Sequence, residues 1–524
     1  MRLYKLSSYP VSLSWDEVAI GYNAYSIAQT GKDEYGKKFP LLFKSFNDFK
    51  LPGYIYTDSI FVKFLGLSEF SVRLPSALFG TIAVALIFII TNELAKNFKL
   101  IKFEMTYLSS FLLAISPWHI QVSRAAFEAN LALTIVLAGV IALLKGFKSK
   151  LSALLSMPIL SLSVYFYYSA RIFVPVILVV TYFLFRNEIS KNLKYFLVSL
   201  MLAFLISLPL FSQIATAEGL KRVKEVSIFS QEKLIVDYVK TREIANNNLL
   251  ADLFLNRRIP TITEALHNYL SHFSFGFLFF GDDPNARHRS AFHGNLYLFE
   301  LPLILIGLYK LLKFPSHKIK YFLLVWLLVA PIPAAISQDS PHGLRALLML
   351  PMLVILSSIG VYSLAQNFKV KLILVMAILI FFINYLFSYY LLYPQRDNLS
   401  WAYGYKQMLT KVSEVENNYE RIIVSGYYWK PYIFYLFYHQ VDPQYYFTNN
   451  QESIGKYRFG TTGWDSGGKD ISDEDLDILK LGKTLIAISP IEYNGLQRKG
   501  NFQINSKIFD FSSRKEIFLI GEWR

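Results

Sequence analysis

The stretch FSVRLPSALFGTIAVALIFIITNEL, residues 70–94, decides the fold class. From Leu74 to Asn92 it carries no charged side chain. The hydrocarbon core of a bilayer is about 30 Å thick and takes roughly 20 apolar residues as helix, so this run reads as a membrane span. Working outward, nine further runs qualify or nearly qualify: 105–121, 127–145, 151–168, 171–187, 194–213, 296–313, 320–338, 343–365 and 370–393. Composition agrees. Of 524 residues, 53% are apolar and only 17% charged, where a soluble protein carries about a quarter charged. The 44 Phe and 35 Tyr suit membrane interfaces, where a ring sits half buried and half wet. The net charge of +15 comes from basic residues clustered in short gaps between apolar runs. Membrane lipids, not nucleic acid, are therefore the expected partner. With no cysteine, no disulfide framework or thiol chemistry arises. Met1 to Pro10 lacks the apolar core of a cleavable signal peptide.

The gaps alternate in charge. Lys96, Lys99 and Lys102, then Lys145, Lys148 and Lys150, then Arg186, Lys191 and Lys194 fall in one set. Lys310, Lys313, Lys318 and Lys320, then Lys369 and Lys371, continue it. The opposite short gaps hold Arg124, Arg171 and Arg345. The excess of Lys and Arg on cytoplasmic loops puts the first set inside. Residues 1–69, 214–295 and 394–524 are then extracytoplasmic. Export of 1–53 with nothing ahead of it leads us to expect a preceding membrane helix, absent from this chain, or else a first span that exports its own N-terminal flank. Three regions follow: a first outer loop over 1–69 with amphipathic surface helices, a ten-span domain over 70–393 with an outer loop at 214–295, and an outer domain over 394–524. Apolar runs at Arg421–Gly426, Lys483–Pro490 and Lys515–Trp523 predict strands there, and Glu414–Tyr419 and Tyr432–His439 predict helices. The expected class is a mainly α polytopic membrane bundle with a small α/β C-terminal domain.

Ionisable residues at span mouths are the first places to seek chemistry. In Ser14-Trp15-Asp16-Glu17, the Ser14 to Glu17 spacing is that of a capping box. Val18, Tyr22 and Tyr25 share a face of the helix that follows, and Gly31 is its stop. Asp16 and Glu17 either just complement the helix dipole or form a carboxylate site, since a positive helix end keeps a carboxylate ionised. In Asn47-Asp48-Phe49-Lys50-Leu51-Pro52-Gly53, a lysine beside an acid before a Pro-Gly turn could hold a phosphate, or be a solvated loop. Arg73 opens a span, where it could bind headgroups or snorkel. Arg124 and Glu128, four apart, would share a helix face as an ion pair or as a second carboxylate held by its arginine. Tyr168 and Arg171 put another cation on the same side. In Gly281-Asp282-Asp283-Pro284-Asn285-Ala286-Arg287-His288-Arg289, the Asp, His and Arg could bind a divalent metal or a phosphate. No zinc spacing such as HExxH is present, so metal is the weaker option. His342 and Arg345 top another span. No Walker A motif and no Gly-x-Gly-x-x-Gly opens a helix, which fits a donor carried on lipid rather than on a nucleotide.

Trp15-Asp16-Glu17 with Gly21-Tyr22-Asn23-Ala24-Tyr25, Phe49-Lys50-Leu51-Pro52 and Phe70-Ser71-Val72-Arg73-Leu74-Pro75-Ser76-Ala77 together resemble bacterial members of the protein O-mannosyltransferase superfamily, which includes the lipid A aminoarabinose transferase. Ser116-Pro117-Trp118-His119, Ser123-Arg124, and Tyr168 to Pro175 around Arg171 continue the resemblance, which is most specific over 9–175. It implies a GT-C glycosyltransferase that takes a sugar from a polyprenyl phosphate, with inversion, and passes it to a hydroxyl of an acceptor protein or glycolipid. It implies Asp16 as principal carboxylate with Glu17 beside it, Glu128 as a second acid by position, and Lys50 on the donor phosphate. Arg73, Arg124, Arg171, Arg287, His288, His342 and Arg345 would line the phosphate or headgroup, supported by Asp48, Tyr22 and Tyr168. The family opens with a membrane helix before the Asp-Glu loop, in keeping with the helix expected above. Trp401-Ala402-Tyr403-Gly404 is similar to the Trp-Trp-Asp-Tyr-Gly motif of oligosaccharyltransferases, without its Asp. An O-antigen polymerase or ligase would not need the Trp-Asp-Glu loop. A transporter would show paired half-repeats with broken spans, and none is evident.

Overall fold

The computed structural model describes residues 1–46, 48–98, 102–214, 216, 227–230, 240, 244, 258–289, 292–428, 430–448, 453–460, 482–497 and 502–523. Most of the expected outer loop at 214–295 before residue 258 lies outside them. All ten apolar runs are helical: α3 (Glu69–Phe98), α4 (Phe103–Ile115) with α5 (Pro117–Ser123), α6 (Glu128–Gly146), α7 (Lys150–Leu162), α8 (Tyr168–Ser190), α9 (Leu193–Ile214), α11 (Glu300–Leu312), α12 (His317–Val329), α13 (Leu350–Leu364) and α14 (Phe368–Phe387). Between α9 and α11 lies α10 (Arg258–Ser271). Among the described residues, 7 helices are long and apolar enough to cross a membrane, while Phe103–Ile115 and Lys150–Tyr165 are shorter apolar helices. The chain is a multi-pass integral membrane protein. The second run is cut in two at Ser116, because Pro117 disfavours helical conformation in the residue before it.

The chain divides into two compact units. The first comprises residues 1–2, 76–123 and 127–388 and holds most of the helical bundle. Its helices pack α6 on α7, α7 on α9, α4 and α11 on α13, and α8 on α12. Helices α11 and α13 approach through glycine. A Cβ on Gly307 would lie 2.0 Å from the Leu356 carbonyl oxygen, and one on Gly360 would lie 2.1 Å from that of Leu303. Small residues let backbones come this close in lipid, where packing rather than water exclusion joins helices.

The second unit comprises residues 3–75, 124–126 and 389–524. Its first part is α1 (Trp15–Thr30), the hairpin β1 (Phe43–Ser45) and β2 (Asp48–Lys50), and α2 (Pro52–Leu65). The capping box at Ser14 and Glu17 is formed, and Gly31 closes α1 in the left-handed region at φ 69°. We expected an amphipathic surface helix. Instead α1 is buried nearly all round, Glu17 and Asn23 included, because it packs on α2 and on α16 (Pro431–Tyr438). Pro52-Gly53 is not a turn but the first turn of α2, where proline's missing N–H costs nothing. The C-terminal part adds α15 (Tyr405–Val415), α17 (Pro490–Gln497) and a six-stranded mixed sheet of order β4-β5-β3-β6-β8-β7. Its strands are β3 (Arg421–Val424), β4 (Ser453–Ile454), β5 (Tyr457–Phe459), β6 (Thr484–Ile488), β7 (Phe502–Phe509) and β8 (Glu516–Trp523). Parallel β5-β3-β6 form its centre, with antiparallel strands on both flanks. Ile423, Ile486, Ile488, Leu496, Phe502 and Leu519 make a core on it. The three expected strands are β3, β6 and β8, and the helix expected at Tyr432–His439 is α16. Glu414–Tyr419 only overlaps the end of α15 and a short 3-10 turn at Glu416–Asn418.

Candidate active site

The second unit builds its site from the first turn of α1. Glu17 and Asp16 are neighbours in sequence with opposite surroundings. Glu17 is 1% exposed and Asp16 35%. The Glu17 carboxylate accepts from the Ser14 backbone N–H at 2.9 Å, the Ala126 N–H at 3.1 Å and the Arg73 guanidinium at 2.8 Å. Arg73 is itself fully buried. It gives two N–H to Glu17, and the rest to the carbonyls of Leu6, Pro10 and Ser12. A guanidinium has five N–H donors, and these bonds occupy all of them. Arg73 therefore neither snorkels nor offers a donor to a headgroup. It clamps the chain before α1 to the start of α3, with Trp401 against its face at 5.8 Å.

Asp16 faces a different partner. Lys50, at the end of β2, is 5% exposed and donates from Nζ to Asp16 Oδ1 at 2.7 Å and to Asp48 Oδ2 at 3.3 Å. Its ammonium also lies 4.9 Å from the centre of the Phe46 ring. The hairpin is pinned by a buried polar knot that sequence reasoning missed. Asn23, seven residues along α1 from Asp16, donates to Glu34 at 2.9 Å and to the Ser45 hydroxyl at 3.1 Å. Ser45 in turn donates to Glu34 at 3.0 Å. Burial pushes the Glu34 carboxyl up to about 7, against the hydrogen bonds from Ser45, Tyr432 and Asn23. The seven-residue spacing to Asn23, two helical turns, was the one available sequence signal. Tyr22 is buried, with its hydroxyl on the Val441 carbonyl.

Arg124 also belongs to this unit. It donates to the carbonyls of Tyr4 at 2.8 Å and Tyr9 at 2.9 Å, and to the Tyr389 hydroxyl at 3.1 Å. The shared helix face expected for Arg124 and Glu128 does not exist. α5 ends at Ser123, a turn carries Arg124, and Glu128 opens α6.

The bundle unit holds the remaining candidates, with Asp283, Arg287 and Arg345 beside two histidines. Asp283, His288 and His342 are all buried, with one potential ligand atom from each within 4.8 Å of the others. Asp283 is held by backbone N–H groups, from Asn285 at 2.8 Å and Gly343 at 2.6 Å. His288 Nδ1 lies 3.5 Å from Asp283 Oδ1, too far for a good hydrogen bond, and the rings of His288 and His342 are 4.4 Å apart. His272 stands behind them. Its Nε2 accepts the His342 N–H at 3.1 Å, so its proton sits on Nδ1, facing the Asn268 carbonyl at 2.7 Å. Burial lowers all three imidazoles, His272 to about 4, and Arg287 and Arg345 lower His288 further. Neutral imidazoles with a carboxylate could bind a metal. Arg345 donates to Ser337 at 2.7 Å and to the Gln338 carbonyl. At the start of α8, Arg171 stacks on Tyr168 at 4.7 Å and donates to the Val164 carbonyl at 3.3 Å. The cations thus fall in two groups: Lys50, Arg73 and Arg124 in one unit, Arg171, Arg287 and Arg345 in the other.

A multi-span bundle with a mixed C-terminal sheet and an acidic pair at the first helix start is the GT-C membrane glycosyltransferase fold. The chain is similar to ArnT from Cupriavidus metallidurans, at TM-score 0.55 and 11% identity bound to undecaprenyl phosphate, and 0.52 and 10% in the apo state. Each alignment covers 96% of this chain and 93% of that one. It is also similar to the oligosaccharyltransferase of Archaeoglobus fulgidus tethered to an acceptor peptide with the NVT sequon, at TM-score 0.51 and 13% identity. That alignment covers 93% of this chain, which spans 66% of the archaeal protein. Residues 50–212 match the family described as Dolichyl-phosphate-mannose-protein mannosyltransferase. The likeness to ArnT is one of fold, the GT-C membrane glycosyltransferase fold. No curated protein matches the chain.

Proposed function

We propose that the chain transfers a sugar from a polyprenyl-phosphate donor to an acceptor hydroxyl on the extracytoplasmic side, with inversion at the anomeric carbon. The observation that carries this reading is the Asp16–Lys50 pair, a half-exposed carboxylate 2.7 Å from a buried ammonium. The undecaprenyl phosphate on the similar ArnT supports a lipid-phosphate donor. The acceptor oxygen attacks the anomeric carbon as the bond to the phosphate oxygen breaks, and the hydroxyl proton passes to Asp16. Charge develops on the departing phosphate, so a fixed cation lowers the barrier more than a proton donor would. Lys50 is that cation, and the donor phosphate competes with Asp16 for its N–H groups. Glu17 has its oxygens committed to Arg73 and backbone N–H groups, so it holds the loop in shape and leaves the proton to Asp16. Arg124, in the same unit as Asp16 and Lys50, is the further cation that serves the reaction. The acceptor is a protein or glycolipid hydroxyl. The test is release of polyprenyl phosphate from a panel of polyprenyl-phosphate sugars, with Asp16→Asn beside the wild type. Release by the wild type alone supports both donor class and base, and equal release moves the base to Glu128.

A divalent cation is the second element of the reading. One carboxylate and two neutral imidazoles, one with a buried ring nitrogen lacking a hydrogen bond, fit a zinc-like ion with an open position. Asp283, His288 and His342 would hold it, and bound there it would supply positive charge.

A further inference from the structure

We propose that Tyr432, on α16 of the C-terminal part, is a positioning residue for Lys50, acting through the turn of the β1–β2 hairpin. The proposal rests on the reading of Asp16 and Lys50 as the reacting pair. The Tyr432 hydroxyl donates to Glu34 Oε1 at 3.1 Å and accepts the Phe46 backbone N–H at 3.2 Å. One hydroxyl has one donor and accepts readily, so both ends of this bridge are filled. Phe46 is the first residue of the turn and adopts the left-handed region at φ 41°, which few non-glycine residues do without support. Its ring is the face over which the Lys50 ammonium sits, 4.9 Å from the centre.

The chain of contacts therefore runs from Tyr432 to the Phe46 backbone, from the Phe46 ring to Lys50, and from Lys50 to Asp16. A parallel grip holds the strand below the turn, where Ser45 is bonded to Glu34 and Asn23. Ser45 pairs with Asp48 across the hairpin, so the same grip also sets the second carboxylate that Lys50 meets. Replacing Tyr432 by Phe keeps the ring in the packed helix. It removes the hydroxyl's bonds to the Phe46 N–H and to Glu34, and a turn that loses such bonds gives way. The C-terminal residues 389–524 would thus take part in organising the site.

The test reads Lys50 directly. The full-length protein in detergent is treated with an amine-acylating reagent, and the labelling rate of each lysine is followed by mass spectrometry. Wild-type Lys50, buried and paired to Asp16, is protected. Tyr432→Phe is expected to speed Lys50 labelling about fivefold, the equivalent of one ordinary hydrogen bond, with the exposed Lys63 unchanged. Tyr435→Phe, on the same helix but packed on Tyr457 and Phe459, should leave both rates alone. Glu34→Gln is the second variant, with a smaller rise at Lys50 expected. An unchanged Lys50 rate in Tyr432→Phe and Glu34→Gln overturns the proposal. So does a general rise at all lysines with a lower unfolding temperature, which marks Tyr432 as merely structural. The readout needs no substrate. If Lys50→Ala keeps full turnover, the reading of the site fails while the labelling result still decides the role of Tyr432.

Discussion

Removing Arg73 should cost more stability than any other single change at the site. In Arg73→Met the methionine fills part of the volume but gives no N–H. Glu17 then keeps a buried charge with its closest counterion gone, and the carbonyls of Leu6, Pro10 and Ser12 lose their donor. Breaking a buried ion pair from one side costs about 3–5 kcal/mol. For a domain of this unit's size, about 2–4 °C of melting temperature goes with each kcal/mol, so the fall should be roughly 6–20 °C. Trp401, which lies against the guanidinium, makes tryptophan fluorescence in detergent a local reporter of the transition. The reasoning has a second consequence. Glu17→Gln combined with Arg73→Met should be less damaging than the sum of the two single changes, since each charge is costly chiefly without the other. A loss below about 1 kcal/mol in Arg73→Met, or strict additivity of the pair, would show that Glu17 does not depend on Arg73.

Three further outcomes are expected. Lys50→Ala should weaken binding of undecaprenyl phosphate about 10- to 100-fold, the scale of a hydrogen bond to a charged group. Lys50→Arg should not restore it, because a planar fork does not fit a point-charge position. Glu34 gives the fold a pH dependence. Its carboxyl is held at about 7, above an ordinary value of 4.5, so the folded state keeps a proton that the unfolded chain releases. Its contribution is full below pH about 4.5 and declines by about 3 kcal/mol as pH rises to about 7. Denaturant unfolding across that range checks it, and Glu34→Gln should flatten the slope. Elemental analysis after dialysis against zinc should find about one ion per chain in the wild type, and none in His288→Ala or His342→Ala.

How legible the molecule was from its sequence depended on how local the signals were. Spans are written in runs of apolar residues, and all ten became helices. The cap at Ser14–Glu17 and the stop at Gly31 are decided within a few residues. Lys50 and Asp16, 34 positions apart, were both named, the lysine from its place between an acid and Pro52-Gly53 and again by the family resemblance. What was missed is tertiary. Nothing local shows that Glu34, Asn23, Ser45 and Tyr432 converge, because a buried polar knot is defined by its far partners. Arg73 reads like any cation at a span mouth, and only burial shows it satisfied by carbonyls of residues 6–12. Spacing misled at Arg124 and Glu128, where four residues mean one helix face only if the helix is continuous. The short strands β4 and β5, and the edge strand β7 with its alternating pattern, escaped because they carry too few consecutive apolar residues to stand out.

The central claim is that Asp16 takes the acceptor's proton while Lys50 holds the donor phosphate. The most direct measurement is single-turnover release of polyprenyl phosphate at saturating donor, wild type against Asp16→Asn, with undecaprenyl phosphate binding measured on the same samples. The account predicts binding within a few-fold of the wild type and release slower by about 10²–10⁴. Equal release rates, with binding intact, would contradict it.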